Sequence, residues 1–309
     1  MSNTKNQLVS INNFRMDFGK TTVIKDLSFS IEAGEIFGFL GSNGCGKTTT
    51  IRALLGLYEP TAGSLLINGE PFNPRTIGRK LGYLPEERGL YKKESVIDVM
   101  TYFGKLKGMK GSEAKKWSLD YLEKVELADK AKIRLDKLSG GQQQKVQLGV
   151  TIMNDPELLI LDEPTKGFDP VNRHLLMSII EKQNKKGAGV IMVTHQMEEV
   201  ERLCSRAILL KDGKAEAYGT IDSIKDNFGG QRIILRYSGK LPNRPNFSTI
   251  KESDSSNAEL IPKENVDPQR ILRELVTCNS LKITTFDVQK PTLDEIFVSI
   301  YGKEEAIHA

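Results

Sequence analysis

The sequence predicts an α/β protein in two parts, a large layered domain followed by a small α/β domain. Three observations lead to this. Apolar runs alternate with helical patterns up to about Thr220. One such run, Glu35 to Leu40, enters the glycine-rich loop Gly41-Ser42-Asn43-Gly44-Cys45-Gly46-Lys47-Thr48. After Phe228-Gly229-Gly230 the character changes, and strand-like and helix-like segments of a shorter unit follow.

In chain order, Leu27 to Ile31 alternates with period two and predicts a half-buried strand. Glu35 to Leu40 predicts a buried strand, and Ile51, Leu54 and Leu55 mark a helix face after Thr48. From Glu94 to Asp155 the pattern is helical, with stripes at Val96, Val99, Met100 and Phe103 and at Trp117, Tyr121, Leu122 and Val125. Leu158 to Asp162 and Val190 to Thr194 predict two more buried strands. Asp169-Pro170 between them has the form of an N-cap followed by proline at the first helical position. A charged helix from Met197 to Cys204 precedes a hairpin turning at Lys211-Asp212-Gly213-Lys214.

In the second part, Gln231 to Tyr237 predicts a strand, and Pro242 to Ser256 an irregular stretch with a short strand near Ile250. Asp267-Pro268 opens a helix to about Cys278, and Lys282 to Val288 alternates as a strand. Thr292-Leu293-Asp294-Glu295 is a capping box for a last helix, which Gly302 can close. The expected division is 1–228 and 229–309, with a helical portion at about 88–155.

Composition narrows the function. A hydrophobic fraction of 39% and a charged fraction of 27% are ordinary for a globular chain with a sizeable core. The net charge of +4 comes from scattered basic residues, so no nucleic-acid partner is expected. Cys45, Cys204 and Cys278 lie far apart, which argues against zinc and disulfides and for a reducing compartment. The polar amino terminus has no signal-peptide core, and no apolar run approaches the ~20 residues that cross a bilayer.

The loop at Gly41–Thr48 fits G-x-x-x-x-G-K-[ST] between a strand and a helix, the context of a phosphate loop. Its glycines let backbone N–H groups wrap a phosphate. Lys47 should reach the β- and γ-phosphates, Thr48 should place its hydroxyl on Mg²⁺, and Thr49 should touch the α-phosphate. Leu158 to Asp162 ends an apolar run in a carboxylate, as a Walker B strand does, and puts Asp162 near the metal's waters. Ser139-Gly140-Gly141-Gln142 is itself a capping box, with Val146, Val150 and Met153 as a helical stripe behind it.

Taken together, the phosphate loop and Leu138-Ser139-Gly140-Gly141-Gln142 resemble the ATP-binding cassette (ABC) ATPases. The likeness runs from about Val9 to Tyr218. It implies a P-loop NTPase fold with a RecA-like core, an antiparallel β-subdomain and a helical subdomain, binding ATP and Mg²⁺. It also implies several roles. Glu163 polarises the attacking water, and His195 contacts the γ-phosphate. Asp169 is the D-loop aspartate, preceded by Phe168 where the family more often has Leu. Ser139 to Gln142 would complete the ATP site of a second ATPase subunit, which makes a dimer with two composite sites. Phe18 stands where the family places an aromatic on adenine, more often Tyr, with Phe14 as the alternative. Glu86 replaces the usual Gln and is assigned to metal and coupling.

Glu86 to Tyr91 and Pro291 to Phe297 look like the bacterial branch that contains sodium-extrusion and multidrug-export ATPases. There the cassette docks on a separate integral-membrane permease, at the cytoplasmic face of the membrane. The alternatives are an importer ATPase with a regulatory carboxyl-terminal domain and a soluble ABC ATPase outside transport. A GTPase is disfavoured because Asn184-Lys185-Lys186-Gly187 lacks the aspartate that would read guanine.

Overall fold

A computed structural model describes residues 7–73, 78–87, 89–228, 230–242, 246–253, 256–263, 266–278 and 280–305. Arg88, within the Glu86 to Tyr91 segment, lies outside the described residues. The chain divides into Met1–Thr220 and Ile221–Ala309. The second unit takes in the helix Ile221–Phe228, which the sequence reading attached to the first.

The first unit begins with β1 (Gln7–Phe18), β2 (Thr21–Glu32), β3 (Ile36–Gly41), α1 (Lys47–Leu54), β4 (Ala62–Ile67) and β5 (Leu81–Leu84). The helical portion follows as α2 (Val96–Leu106), α3 (Gly111–Lys124) and α4 (Gly140–Ile152). β6 (Leu158–Asp162), α5 (Pro170–Lys185), β7 (Gly189–Val193), α6 (Met197–Leu203), β8 (Arg206–Lys211) and β9 (Lys214–Thr220) complete it. Among the described residues nine strands form one sheet in the order β4-β1-β2-β9-β8-β3-β7-β6-β5. The β8-β3-β7-β6-β5 stretch is parallel, and β4, β1 and β2 are antiparallel.

Every residue of β3, β6 and β7 is buried, as expected of strands covered on both faces. Phe37, Phe39, Ile160, Ile191 and Ile208 share one apolar cluster with Ile51 and Leu54 of α1. Burial of each such side chain contributes about 1.5–3 kcal/mol. The long β1 escaped the sequence reading because the left-handed Asn13 and adjacent register shifts break its alternation. The turn at Asp212-Gly213 has both residues at positive φ, the form a two-residue hairpin needs.

The helical portion packs closely because Gly149 of α4 admits the ring of Tyr121 from α3. A Cβ there would lie 2.4 Å from the ring. Tyr121 then donates its hydroxyl to the Lys145 carbonyl at 2.7 Å. At the other end of α4, Lys107 Nζ donates to the carbonyls of Thr151 at 2.6 Å and Met153 at 3.3 Å. These are orphan acceptors of a helix terminus. Burial brings the Lys107 ammonium down to about 8.

The second unit contains α7 (Ile221–Phe228), β10 (Arg232–Gly239), β11 (Phe247–Ser253), β12 (Asn257–Pro262), α8 (Pro268–Val276), β13 (Leu281–Gln289) and α9 (Leu293–Glu305). Its strands pair antiparallel in the order β11-β12-β10-β13. Ile271 and Leu275 of α8 join Ile233, Leu235, Tyr237, Phe247 and Leu260 in one core. One expectation is sharpened and one corrected. The short strand expected near Ile250 is the seven-residue β11, Phe247–Ser253, and α9 runs through Gly302 to Glu305 rather than closing there.

Candidate functional site

Parallel pairing of three neighbouring strands assembles the site. β3, β7 and β6 lie side by side in register, with Phe39 beside Val193 and Val193 beside Asp162. The phosphate loop, Thr194-His195 and Glu163 therefore leave the sheet at one edge. Ligands of open α/β sheets bind at this carboxyl edge.

Two glycines shape the loop. Gly46 has φ +110, and a Cβ on it would sit 2.3 Å from Ile24 Cδ1. At Gly41 (φ +156) a Cβ would sit 2.5 Å from both Cys45 Sγ and the Leu210 carbonyl oxygen. Gly46 is also the N-cap of α1, with no side chain on the helix's free N–H groups and no acidic residue in the first turn. That end is open to an anion. Lys47 Nζ donates to the carbonyls of Gly41 at 2.8 Å and Ser42 at 2.9 Å, so the ammonium is tethered to the loop itself. Asn43, Gly44 and Thr48 are exposed, Ser42 and Thr49 are half-buried, and Cys45 is buried with its thiol pushed up by that burial.

Asp162 is buried at the tip of β6. Burial, then the charges of Glu86 and Glu163, push its carboxyl up to about 6. Among the described residues no three His, Cys, Asp or Glu side chains form a ready-made metal cage. A crowded, buried carboxylate beside a threonine-bearing phosphate loop suits a hard cation that keeps waters and binds substrate phosphates, as Mg²⁺ does.

The same shift has a stability consequence. The folded chain holds the Asp162 proton up to about pH 6, and the unfolded chain releases it near 3.8. The ionised carboxyl therefore costs stability fully above pH 6 and not at all below about pH 4. Asp162→Asn is expected to raise the melting temperature of the ligand-free chain at pH 7.5, with the gain fading between pH 6 and pH 4. Melts showing no gain at pH 7.5, or an equal gain at pH 4, would contradict this.

Glu163 follows Asp162 in left-handed backbone, φ +47, an unusual conformation for a residue with a side chain. It is 9% exposed, and its N–H donates to the Val193 carbonyl at 2.8 Å, extending the β6–β7 ladder. His195 Nδ1 lies 2.8 Å from Glu163 Oε1, and Thr194 Oγ1 donates to Glu163 Oε2 at 3.3 Å. Gln196 Nε2 stands 3.4 Å from the other ring nitrogen, His195 Nε2. This arrangement can orient a water and take its proton.

Glu86 Oε1 is ion-paired with Lys166 Nζ at 2.6 Å, both side chains exposed. The sequence reading assigned Glu86 to metal and coupling and did not foresee this partner. Asp169 caps α5, with Oδ1 accepting from Asn172 N at 2.9 Å, and these hydrogen bonds hold its carboxyl below the usual range. The Ser139 box is complete. Gln142 N donates to Ser139 Oγ at 3.3 Å, and Ser139 N donates to Gln142 Oε1 at 3.0 Å. Ser139 is exposed, and Gly141 lies against the Phe168 ring, which a Cβ would approach to 3.2 Å. Phe18, 45% exposed, meets Tyr58 edge-on at 5.3 Å, whereas Phe14 is fully buried in the core and has no face for a base.

Sequence reasoning missed Thr194, Lys166, Tyr58 and the Thr165–Glu199–Arg173 cluster. Each is an ordinary polar or aromatic residue whose role arises only from tertiary neighbours.

Comparison with known proteins identifies the family. Residues 24–166 match the ABC transporter family, and residues 219–301 match the ATP-binding protein DrrA1-3-like C-terminal domain. An ABC transporter ATP-binding protein of Methanocaldococcus jannaschii is 45% identical, over 70% of this chain and 79% of its own. The linearmycin resistance ATP-binding protein of Bacillus subtilis is 33% identical over 96% of this chain and 99% of its own. The Nod factor export ATP-binding protein I of Rhizobium sp. is 33% identical over 94% and 95%. A solved ATP-binding subunit of an ABC transporter superposes with a TM-score of 0.68 at 30% identity, covering 72% of this chain and 93% of that one. The chain belongs to the ATP-binding proteins of the ABC transporter family, and it is an ATPase.

Proposed function

We propose that this ATPase energises export through a separate membrane permease, on whose cytoplasmic side it sits as a peripheral subunit. The observation that carries this reading is the near end-to-end likeness, second unit included, to relatives named for Nod factor export and linearmycin resistance. Among the described residues no helix is long and apolar enough to span a membrane, so a spanning path would come from a partner.

In this reading Gly41 to Thr49 wrap the phosphates and Lys47 turns from its loop carbonyls to the β- and γ-phosphates. Thr48 and Asp162 would hold Mg²⁺, which when bound would neutralise charge developing on the phosphates. Glu86, paired with Lys166, adds a carboxylate beside that metal without leaving its charge uncompensated. Glu163 takes a proton from the attacking water, with His195 fixing its carboxylate and reaching the γ-phosphate. Ser139 to Gln142 and Asp169 meet the site of a second copy, so that ATP joins two chains head to tail.

Phe18, exposed and set nearly perpendicular to Tyr58, is the aromatic that would stack on adenine. Phe18→Ala is expected to raise the ATP dissociation constant about five- to 150-fold, since stacking on a base contributes roughly 1–3 kcal/mol. Phe18→Tyr should restore it. Fluorescent-nucleotide titration reads both, and an unchanged affinity in the alanine variant would exclude the stacking role.

The transport reading is tested by affinity capture from mildly solubilised membranes with Glu163→Gln and ATP. Recovery of a polytopic permease supports it. Recovery of ribosomes or DNA-repair proteins with no membrane partner would overturn it.

A further inference from the structure

One buried carboxylate has no part in the chemistry above. Glu199, on α6 four residues past His195, is 6% exposed. Its Oε2 accepts from the Thr165 hydroxyl at 2.9 Å, and Thr165 is itself buried in the turn after Glu163. Its Oε1 lies 3.4 Å from Arg173 Nε on the first turn of α5. The Arg173 N–H in turn donates to the carbonyl of Asp169 at 2.9 Å. One carboxylate, riding on the helix that follows His195, thus bonds Thr165 inside the Glu163-to-Asp169 segment and faces Arg173 one helical turn past its end.

The contact with Arg173 is held by charge alone, because Glu199 Oε1 and Arg173 Nε are both buried without a hydrogen-bond partner. The bond to Thr165 is a charge-assisted hydrogen bond in a dry environment, among the stronger side-chain contacts a protein makes. Retaining a buried carboxylate only to stabilise the fold would be poorly rewarded, since such groups cost desolvation. Its value lies in fixing a geometry.

We propose that Glu199 is a positioning residue that locks the His195 segment to the turn bearing Glu163 and Asp169, so that these three groups hold one arrangement and move as a unit. This rests on the catalytic reading above, and its structural half can be measured without turnover.

Three variants of the full-length chain test it. Glu199→Gln keeps the volume and an acceptor for Thr165 but removes the charge that faces Arg173. Thr165→Val removes the hydroxyl, and Thr165→Ser keeps it. Hydrogen exchange of the ligand-free chain should rise in residues 163–169 and 194–196 together in Glu199→Gln and Thr165→Val. The parallel segment Leu158 to Leu161 should stay protected. In the ATPase assay these two variants should lose about ten-fold or more in kcat, with KM for ATP within about two-fold, the mark of a group serving the reacting geometry. Thr165→Ser should restore both readouts. Unchanged exchange in both segments would overturn the proposal. So would exchange that rises equally across all of β6 and β7, since that is general destabilisation. Coupled exchange in a chain whose turnover survives Glu163→Gln would uphold the lock and count against the catalytic reading instead.

Discussion

Glu163→Gln is expected to lower kcat at least about 100-fold, because loss of a positioned general base typically costs 10²–10⁴. ATP affinity should not weaken, because the amide keeps the shape of the carboxylate and removes a negative charge beside the phosphates. The structure makes the expectation specific. Glu163 occupies left-handed backbone, is locked to Val193 by its own N–H, and has each carboxylate oxygen matched to Thr194 or His195. A residue held in sparsely populated backbone needs such support from its surroundings. His195→Ala should cost less than Glu163→Gln, since it frees the carboxylate without removing it. Steady-state phosphate release alongside nucleotide titration measures both quantities. A Glu163→Gln chain retaining a tenth of the activity would show that the base lies elsewhere.

Gly46→Ala is the substitution expected to damage the site through its scaffold. The methyl would meet Ile24 Cδ1 at 2.3 Å, and Ile24 is fully buried in the core. The backbone at φ +110 adds strain of about 1–3 kcal/mol for a residue with a Cβ. Crowding in a packed core costs about 1–3 kcal/mol more. Gly44→Ala is the control, with positive φ but nothing within 4 Å of the added methyl. Denaturant melts should show Gly46→Ala clearly less stable than Gly44→Ala, with ATP binding lost in the former at concentrations that saturate the unmodified chain. Equal costs would mean that Ile24 moves aside freely and that packing does not set the loop.

Local motifs carried most of what was legible in the sequence. β3, β6 and β7 read clearly because each is an uninterrupted apolar run ending in a chemically distinctive residue. The Ser139, Asp169 and Thr292 caps also read clearly, since a cap is a pattern within four residues. Strands whose alternation is interrupted were lost. β1 carries bulges around Asn13, β4 is short and starts Ala62-Gly63, and β12 opens on a polar Asn257. The last helix outran its expected end because a glycine stops a helix only where it takes left-handed backbone, which Gly302 does not. In the site, the phosphate loop, Glu163 and His195 leave the sheet at one edge, and the side chains that hold them there were invisible. Lys166 pairs with Glu86 across 80 positions, Thr194 with Glu163 across 31 and Thr165 with Glu199 across 34. No local pattern encodes such pairs.

The proposed composite site between two chains is tested most directly by light scattering of Glu163→Gln with and without ATP. Ser139 stands exposed on a capped helix end and Lys47 on a separate loop of the same chain, and in the proposed head-to-tail pairing each nucleotide would meet both. ATP should then shift the mass from 34.5 kDa to twice that value. Adding Ser139→Arg should abolish the shift while ATP still binds the phosphate loop. A chain saturated with ATP whose mass stays at 34.5 kDa would contradict the two-chain site.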